Sequence, residues 1–311
     1  MNPLLRKLLH GVLLVLGVTF ISFLLMVWFG PDQTYTLIGK NASAEQIAEV
    51  RQQLGYDQPF FTRYLDYLAG LVTLDLGSSN ASGEPVRGLL ARTVPVSLAL
   101  MIPGFLLGNL LGIAFGLSAA RHRGRWADRL ITAFSVAGMS ISFLVVIIAF
   151  QVLLSTPYGL DLFPVRGWRV DDFASYLEYV TVPTLALVFI TLGYNTRFYR
   201  AVFIEELGKD HIRTARAYGA PERTVLWKHV LRNGMMPFVT GLSGSFLLFL
   251  SGALLFEIVF SWPGMGRLAI AALNARDYPL MMALFVISSF LGIIGVLMVD
   301  ILYSVVDPRV R

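Results

Sequence analysis

A chain of 311 residues that is 56% hydrophobic and 14% charged, with a mean hydropathy of +0.66, is no water-soluble domain; such a domain carries roughly 25% charged residues. The net charge of +5 does not make it a nucleic-acid binder, because the basic residues sit in loops beside apolar spans, where they suit membrane lipids and membrane orientation. Cysteine is absent, which excludes disulfides and thiolate metal sites, and His10, His122, His211 and His229 show no ligand spacing, so no metal is expected.

In chain order, six apolar segments are long enough to cross a hydrocarbon core of roughly 30 Å: near 8–29, 94–120, 130–154, 181–202, 236–259 and 280–303. The first follows Arg6 and Lys7 as a secretory signal would, but it is too long and ends Val27-Trp-Phe-Gly-Pro31 without a small-residue cleavage pattern; it reads as an uncleaved helix. With the N terminus in the cytosol, most of the 25 Lys and Arg lie inside, among them Arg121, Arg123, Arg125, Arg129 and the basic residues from Arg197 to Arg232. Both termini are therefore expected in the cytosol. The fold class that follows is an all-α, polytopic membrane protein with six transmembrane helices. Its expected organisation is a tail and first helix (1–29), an external loop (30–93), a five-helix core (94–303) and a cytosolic tail (304–311).

In the 30–93 loop, Asn41-Ala-Ser43 reads as a helix start, with Ile47, Val50 and Leu54 at helical spacing and Pro59 as the stop. Phe60, Tyr64, Tyr67, Leu68 and Leu71 predict a second amphipathic helix, and both helices are expected to pack on the membrane surface. On the second span Gly108, Gly112 and Gly116 recur at spacing four, which places them on one face and lets another helix approach closely. Gly241, Gly244, Ser245 and Gly252 on the fifth span, and Gly292 and Gly295 on the sixth, read the same way. Glu257 and Asp300, near span ends, read as structural anchors rather than as a proton path.

The cytosolic loop 203–235 is longer than two neighbouring helices need, and long loops are kept mainly for function. It reads as a helix from Glu205 to Ala217, Gly219 in a left-handed closing position, Pro221 in the first turn of a second helix, and Val225, Leu226, Val230 and Leu231 on one side. A hairpin of small residues, arginines and apolar anchors suits a groove in a partner protein; the plain alternative is an ordinary positive-inside loop. No phosphate-binding loop exists, since Gly39-Lys40 and Gly208-Lys209 lack the upstream glycine and the following Ser or Thr. No nucleophile elbow or zinc-protease motif occurs, so no catalytic residues and no bound cofactor are expected. Any nucleotide energy has to come from another chain.

With those residues in view, the chain resembles the inner-membrane permease subunit of a bacterial ABC importer, within the dipeptide/oligopeptide/nickel permease family. The resemblance covers nearly the whole length. It is carried by Gly30-Pro-Asp32, Ala44-Glu-Gln-Ile-Ala48, Asp75-Leu-Gly-Ser78, Arg92-Thr93, Asp210, Ile212-Arg-Thr-Ala-Arg-Ala217, Gly219, Leu231-Arg-Asn233, Glu257-Ile-Val-Phe-Ser-Trp-Pro-Gly-Met-Gly266 and Asp277-Tyr-Pro279. The family commonly has Tyr at His211 and Lys at Tyr218, and the broader importer signature Glu-Ala-Ala is here Arg213-Thr-Ala215. The third span reads Gly138-Met-Ser-Ile-Ser-Phe143 and lacks the proline usual there, which leaves open the kink expected of that helix.

The resemblance implies type I importer architecture and a coupling helix seated in a cleft of the ATP-hydrolysing subunit. Asp210, Arg213, Thr214, Ala215, Arg216, Ala217, Gly219 and Pro221 are its expected residues. It further implies a second, homologous permease as heterodimer partner, two ABC ATPase subunits that hold ATP and Mg, and a periplasmic or lipid-anchored solute-binding protein. Glu257, Trp262, Pro263, Gly264, Gly266 and Asp277 are the expected external-loop contacts for that binding protein. Peptides are the favoured substrate, since no His, Cys or Met cluster marks the external loops for nickel. Nickel or another small solute, an ion-coupled secondary transporter and a membrane scaffold that only recruits a cytosolic protein are the alternatives. Midplane ionisable groups or broken helices would favour the secondary transporter, and the sequence offers little of either.

Overall fold

The computed structural model describes residues 3–29, 34, 43–53, 55–239 and 253–306. Among them the secondary structure is helical, with one isolated bridge between Ser78 and Pro85. Four helices contain stretches long and apolar enough to cross a membrane, Leu9–Trp28, Val86–Arg121, Phe173–Leu207 and Tyr278–Val299, and a sharply bent pair makes a fifth candidate span. Most of the expected fifth span, 236–259, lies outside the described residues, as do the small residues Gly241, Gly244, Ser245 and Gly252.

The chain divides into two compact units, Met1–Val94 with Leu268–Ile293 and Pro95–Arg267 with Ile294–Arg311. In the first, α1 (Pro3–Phe29) is followed by α2 (Ala44–Gln53) and α3 (Phe60–Thr73). Ser43 and Gln46 close a reciprocal capping box: the Gln46 amide donates to Ser43 Oγ and the Ser43 amide to Gln46 Oε1. Pro59 does not stop α2, which ends at Gln53; after a turn through Gly55 (φ +66°), Pro59 becomes the N-cap of α3. Tyr64, Phe60, Tyr67 and Leu68 of α3 then pack on Phe20, Phe23, Met26 and Val27 of α1. The Tyr64 hydroxyl bonds Thr19 Oγ1 and donates to the Leu16 carbonyl. Thr19 and Leu16 lie about 15 and 20 Å from the Phe29 end of α1 at 1.5 Å per residue, so α3 lies along the second half of the apolar stretch Leu9–Trp28.

In the second unit α4 (Val86–Arg121) packs along α7 (Phe173–Leu207). Gly104, Gly108, Gly112 and Gly116 face Leu187, Thr191, Asn195 and Tyr199, so two ladders of period four interlock. A Cβ at Gly112 would stand 2.6 Å from Asn195 Cβ, and one at Gly116 only 2.9 Å from the Arg200 backbone nitrogen. Backbone cannot yield as a flexible side chain can. Gly116→Ala is therefore expected to destabilise the assembled protein by about 1–3 kcal/mol, read as a lower thermal unfolding midpoint. An unchanged midpoint would mean that the two helices can separate freely here.

The third expected span is two helices, α5 (Trp126–Ser140) and α6 (Phe143–Ser155), set at 100° to each other. A kink is present without proline: Ile141 (φ −88°, ψ 137°) and Ser142 (φ −59°, ψ 134°) are extended. Both arms pack on α7, and Gly193 of α7 sits so close to α5 that a Cβ would stand 2.6 Å from the Ser135 carbonyl oxygen. Packing on α7 thus draws one sequence segment into two directions, and Phe143 of α6 also meets Phe256. Asp128, buried in the first turn of α5, receives Arg200 of α7 in a two-pronged pair of 2.6 and 2.8 Å and the Gly124 amide at 2.9 Å. Elsewhere in the unit, Val96, Leu100, Ile147, Val182, Ala186, Phe256, Phe260 and Trp262 form a continuous apolar core.

Candidate functional site

The 203–235 segment is built on the end of α7. That helix runs to Leu207, two residues past the start expected for the next one, and breaks at Gly208. Lys209, extended at φ −74° and ψ 152°, starts α8 (Asp210–Ala217). The reason for the break is Ile212, the one fully buried residue of α8, which inserts among Tyr199, Phe203, Val225 and Val230. A helix continuing straight from α7 could not bring Ile212 back onto α7's own flank. Glu206, almost buried, ties the corner by an ion pair with Lys209 and a 3.2 Å contact to His211 Nε2, and its hydrogen bond raises the Lys209 ammonium above its ordinary pKa. Asn233 reaches His211 from the far side of the hairpin.

α8 closes in a Schellman arrangement. The Gly219 amide donates to the Arg216 carbonyl and the Ala220 amide to the Ala215 carbonyl, with Gly219 at φ +78°. Pro221 (φ −62°, ψ 145°) is the N-cap of the following helix rather than part of its first turn, and its carbonyl accepts the amides of Thr224 and Val225. That helix starts at Glu222–Thr224, widens into a π-helical stretch, Val225–Leu231, and ends as an α-turn, Arg232–Gly234. π-Stretches are rare and gather at functional places. This one buries Val225, Leu226 and Val230 in the same cluster as Ile212.

The result is a stiff hairpin with a greasy root and a polar crest. Asp210, Arg213, Thr214, Arg216, Ala217, Gly219 and Pro221 are exposed, and Ala215 is half-buried. Arg216 is preset by a two-pronged pair with Glu222 at 2.9 and 3.2 Å, whereas Arg213 holds Asp210 only loosely at 3.4 Å. Tyr218 stands 87% exposed at the crest. Sequence reasoning named Ile212 only as part of a motif, without its anchoring role, and missed Glu206; the lone large apolar side chain in the octapeptide was the available signal for the first.

The second group of expected contacts is mostly interior. Glu257, Trp262, Gly264 and Gly266 are buried, and Pro263 is exposed. The Glu257 carboxylate, on α11 (Ala253–Val259), accepts the Ser97 hydroxyl at 2.6 Å and the Arg267 amide at 2.8 Å. Ser97 Oγ in turn accepts the Met265 amide at 2.8 Å, so both side chains cap the start of α12 (Met265–Ala275). Gly264 is required because any Cβ there would run into the Glu257 carboxylate. Trp262 packs on Trp168 with ring centroids 4.4 Å apart and planes tilted by 60°, and Gly167 donates its amide to the Phe260 carbonyl, which fastens a second loop to this one.

Asp277, in the other unit and also buried, caps α13 (Tyr278–Val306) through the Leu280 amide and holds Ser79 Oγ and the Ala81 amide of the 79–84 turn. These acids shape loops from inside. Glu257→Gln keeps the volume but turns an amide group toward backbone donors. It is expected to lower the unfolding midpoint and loosen the 260–266 loop to proteolysis; equal protease resistance would show that Glu257 is dispensable there.

A bundle of apolar helices from which an apolar-rooted, polar-crested hairpin projects is what a membrane component needs in order to be gripped from one side. The model of the binding-protein-dependent transport system inner membrane component matches residues 112–311, and that of the N-terminal region of such components matches residues 1–101. The chain belongs to the family of binding-protein-dependent transport system inner membrane components. As a permease subunit of an ABC importer, it is 35% identical over 311 residues to the glutathione transport system permease protein GsiC of Salmonella typhimurium and to that of Salmonella typhi, and 34% identical to that of Escherichia coli. Each match covers 100% of this chain and 99% of the relative. The permease family places the chain in a bacterial inner membrane, and its members are transport components working with ATPase and binding-protein partners.

Proposed function

We propose that this permease translocates di- or oligopeptides by alternating access, driven through the 210–221 crest by ATPase subunits. The observation that carries the reading is the hairpin: its root is locked into α4 and α7 by Ile212, Val225 and Val230, while its crest is free to be held. Force applied at Arg213, Arg216 or Tyr218 would pass into two membrane helices without a soft joint. The exposed arginines suit carboxylates lining a cleft in the ATPase. In this reading the permease itself hydrolyses nothing and holds no cofactor; ATP and Mg belong to two ATPase subunits. A second permease completes the pore, both termini lie in the cytosol and six helices span the membrane.

Peptide as substrate is supported by the relatives, which are named for transport of glutathione, itself a small peptide. The test is reconstitution of this permease with the second permease, the ATPases and the binding protein in proteoliposomes. ATP-dependent accumulation of a short peptide is expected, together with cross-links from cysteines at Arg213 or Tyr218 to an ATPase subunit. Uptake by the permease alone on an ion gradient, or cross-links to no ATPase, would overturn it.

A further inference from the structure

Two independent features of the second unit converge on one patch. The first is the α5–α6 break. Its arms of 15 and 13 residues are each about 20 Å long, so neither alone crosses a hydrocarbon core of roughly 30 Å and the break interrupts an apolar segment. A helix end leaves its last carbonyls and the next helix's first amides without partners inside the helix. In hydrocarbon nothing replaces them, and such a break is stable only when buried in protein or facing water. Met139, Ser140, Ile141 and Ser142 are all exposed, so the described residues do not bury the break.

The second feature is Arg197. It is exposed on α7, and its Nη1 lies 3.9 Å from Met139 Sδ. Met139 is eleven residues along α5 from Asp128, about 16 Å, while Asp128 takes the neighbouring Arg200 at the other end of α5. The Arg197 guanidinium is thus held at the level of the break instead of reaching back toward the end of the helix. Among the described residues no carboxylate pairs with it. A charge set against an apolar segment is too costly to face acyl chains and belongs to a water-filled cavity or an ion pair. Tyr194, one turn away and 63% exposed, adds an aromatic wall beside it.

We propose that the α5–α6 break and Arg197 line the translocation pathway, and that Arg197 takes a carboxylate of the passing substrate. The inference rests on the peptide-importer reading and adds to it the chemistry that the pathway recognises. A guanidinium accepts a carboxylate in a two-pronged pair of defined geometry, and every unmodified peptide carries one at its C terminus. The extended residues 141 and 142 supply backbone polar groups to the same water.

The chain has no cysteine, so single cysteines report cleanly on this subunit. In the assembled importer in proteoliposomes, Ser140→Cys and Ile141→Cys are expected to react with a membrane-impermeant, water-soluble thiol reagent and to be slowed by transported peptide. A face turned to lipid or sealed against the second permease would leave both unreactive, and that result would overturn the proposal. The second arm compares uptake of one short peptide as free acid and as C-terminal amide. Arg197→Ala is expected to reduce the acid-over-amide ratio by about tenfold, with Arg197→Lys in between. The binding protein is the same throughout, so a changed ratio reports on the permease, and an unchanged ratio would refute the role of Arg197. If the unaltered importer moves neither peptide, the peptide reading fails, while the cysteine reactivity still decides whether water reaches the break.

Discussion

Gly219→Val should abolish coupled uptake in the reconstituted importer. Gly219 sits at φ +78° at the close of α8, where its amide and that of Ala220 tie off the last carbonyls of the helix. Space is not the constraint in this chain, because nothing lies within 4 Å of where a Cβ would stand. The constraint is backbone conformation: a left-handed residue with a Cβ costs about 1–2 kcal/mol, and a β-branched one is a true outlier there. The substituted turn would relax, swing Tyr218 and Pro221, and detach the Arg216–Glu222 pair that presets the crest. Each 1.4 kcal/mol is about tenfold in an equilibrium, so a fall of tenfold or more is expected both in uptake and in ATPase stimulation by the loaded binding protein. Gly219→Asn, which tolerates left-handed backbone, should keep much of both. Full coupling in the valine variant would remove the hairpin from the mechanism.

Arg200→Ala is the second large effect. Asp128 is 5% exposed in its side chain and Arg200 28%, and the two meet through both carboxylate oxygens. Removing the arginine strands a carboxylate in the α5–α7 interface, which typically costs about 3–5 kcal/mol. The purified complex should unfold at a markedly lower temperature. Replacing both residues with apolar ones of similar size, Asp128→Leu with Arg200→Met, should recover most of that loss, because a buried pair is worth little over good packing once neither charge remains. A single variant as stable as the parent would mean that water reaches Asp128. Because Arg200 lies one turn from Arg197, the paired variant also asks whether α7 can lose its anchor and still present Arg197 at the break.

Several elements were legible in residue order because their causes are local. The Ser43-x-x-Gln46 box announces α2, the glycine at 219 announces the close of α8, and glycines at spacing four announce a close helix contact. Other features were not legible. The bend at Ile141–Ser142 carries no proline and arises because both arms must pack on α7. The role of Glu257 depends on Ser97, 160 residues earlier, and on a helix start that folds back over it. Pro59 and Pro221 each proved to be a helix N-cap, since a proline is compatible both with ending one helix and with opening the next.

Sequence by itself determined that this is a helical membrane protein with a basic hairpin between apolar spans. Hydrophobic run length, charge placement and glycine punctuation act within a few residues of where they stand. Only the tertiary structure decided that Asp128 is buried in a pair with Arg200 and that Arg197 meets no carboxylate among the described residues. Asp128 finds Arg200 across 72 residues, while Arg197, three positions from it and on the same face of α7, reaches the other end of α5 at an exposed break. Three residues are nearly one helical turn, so both arginines face α5, but what each one meets depends on where α5 bends, and that is fixed by packing.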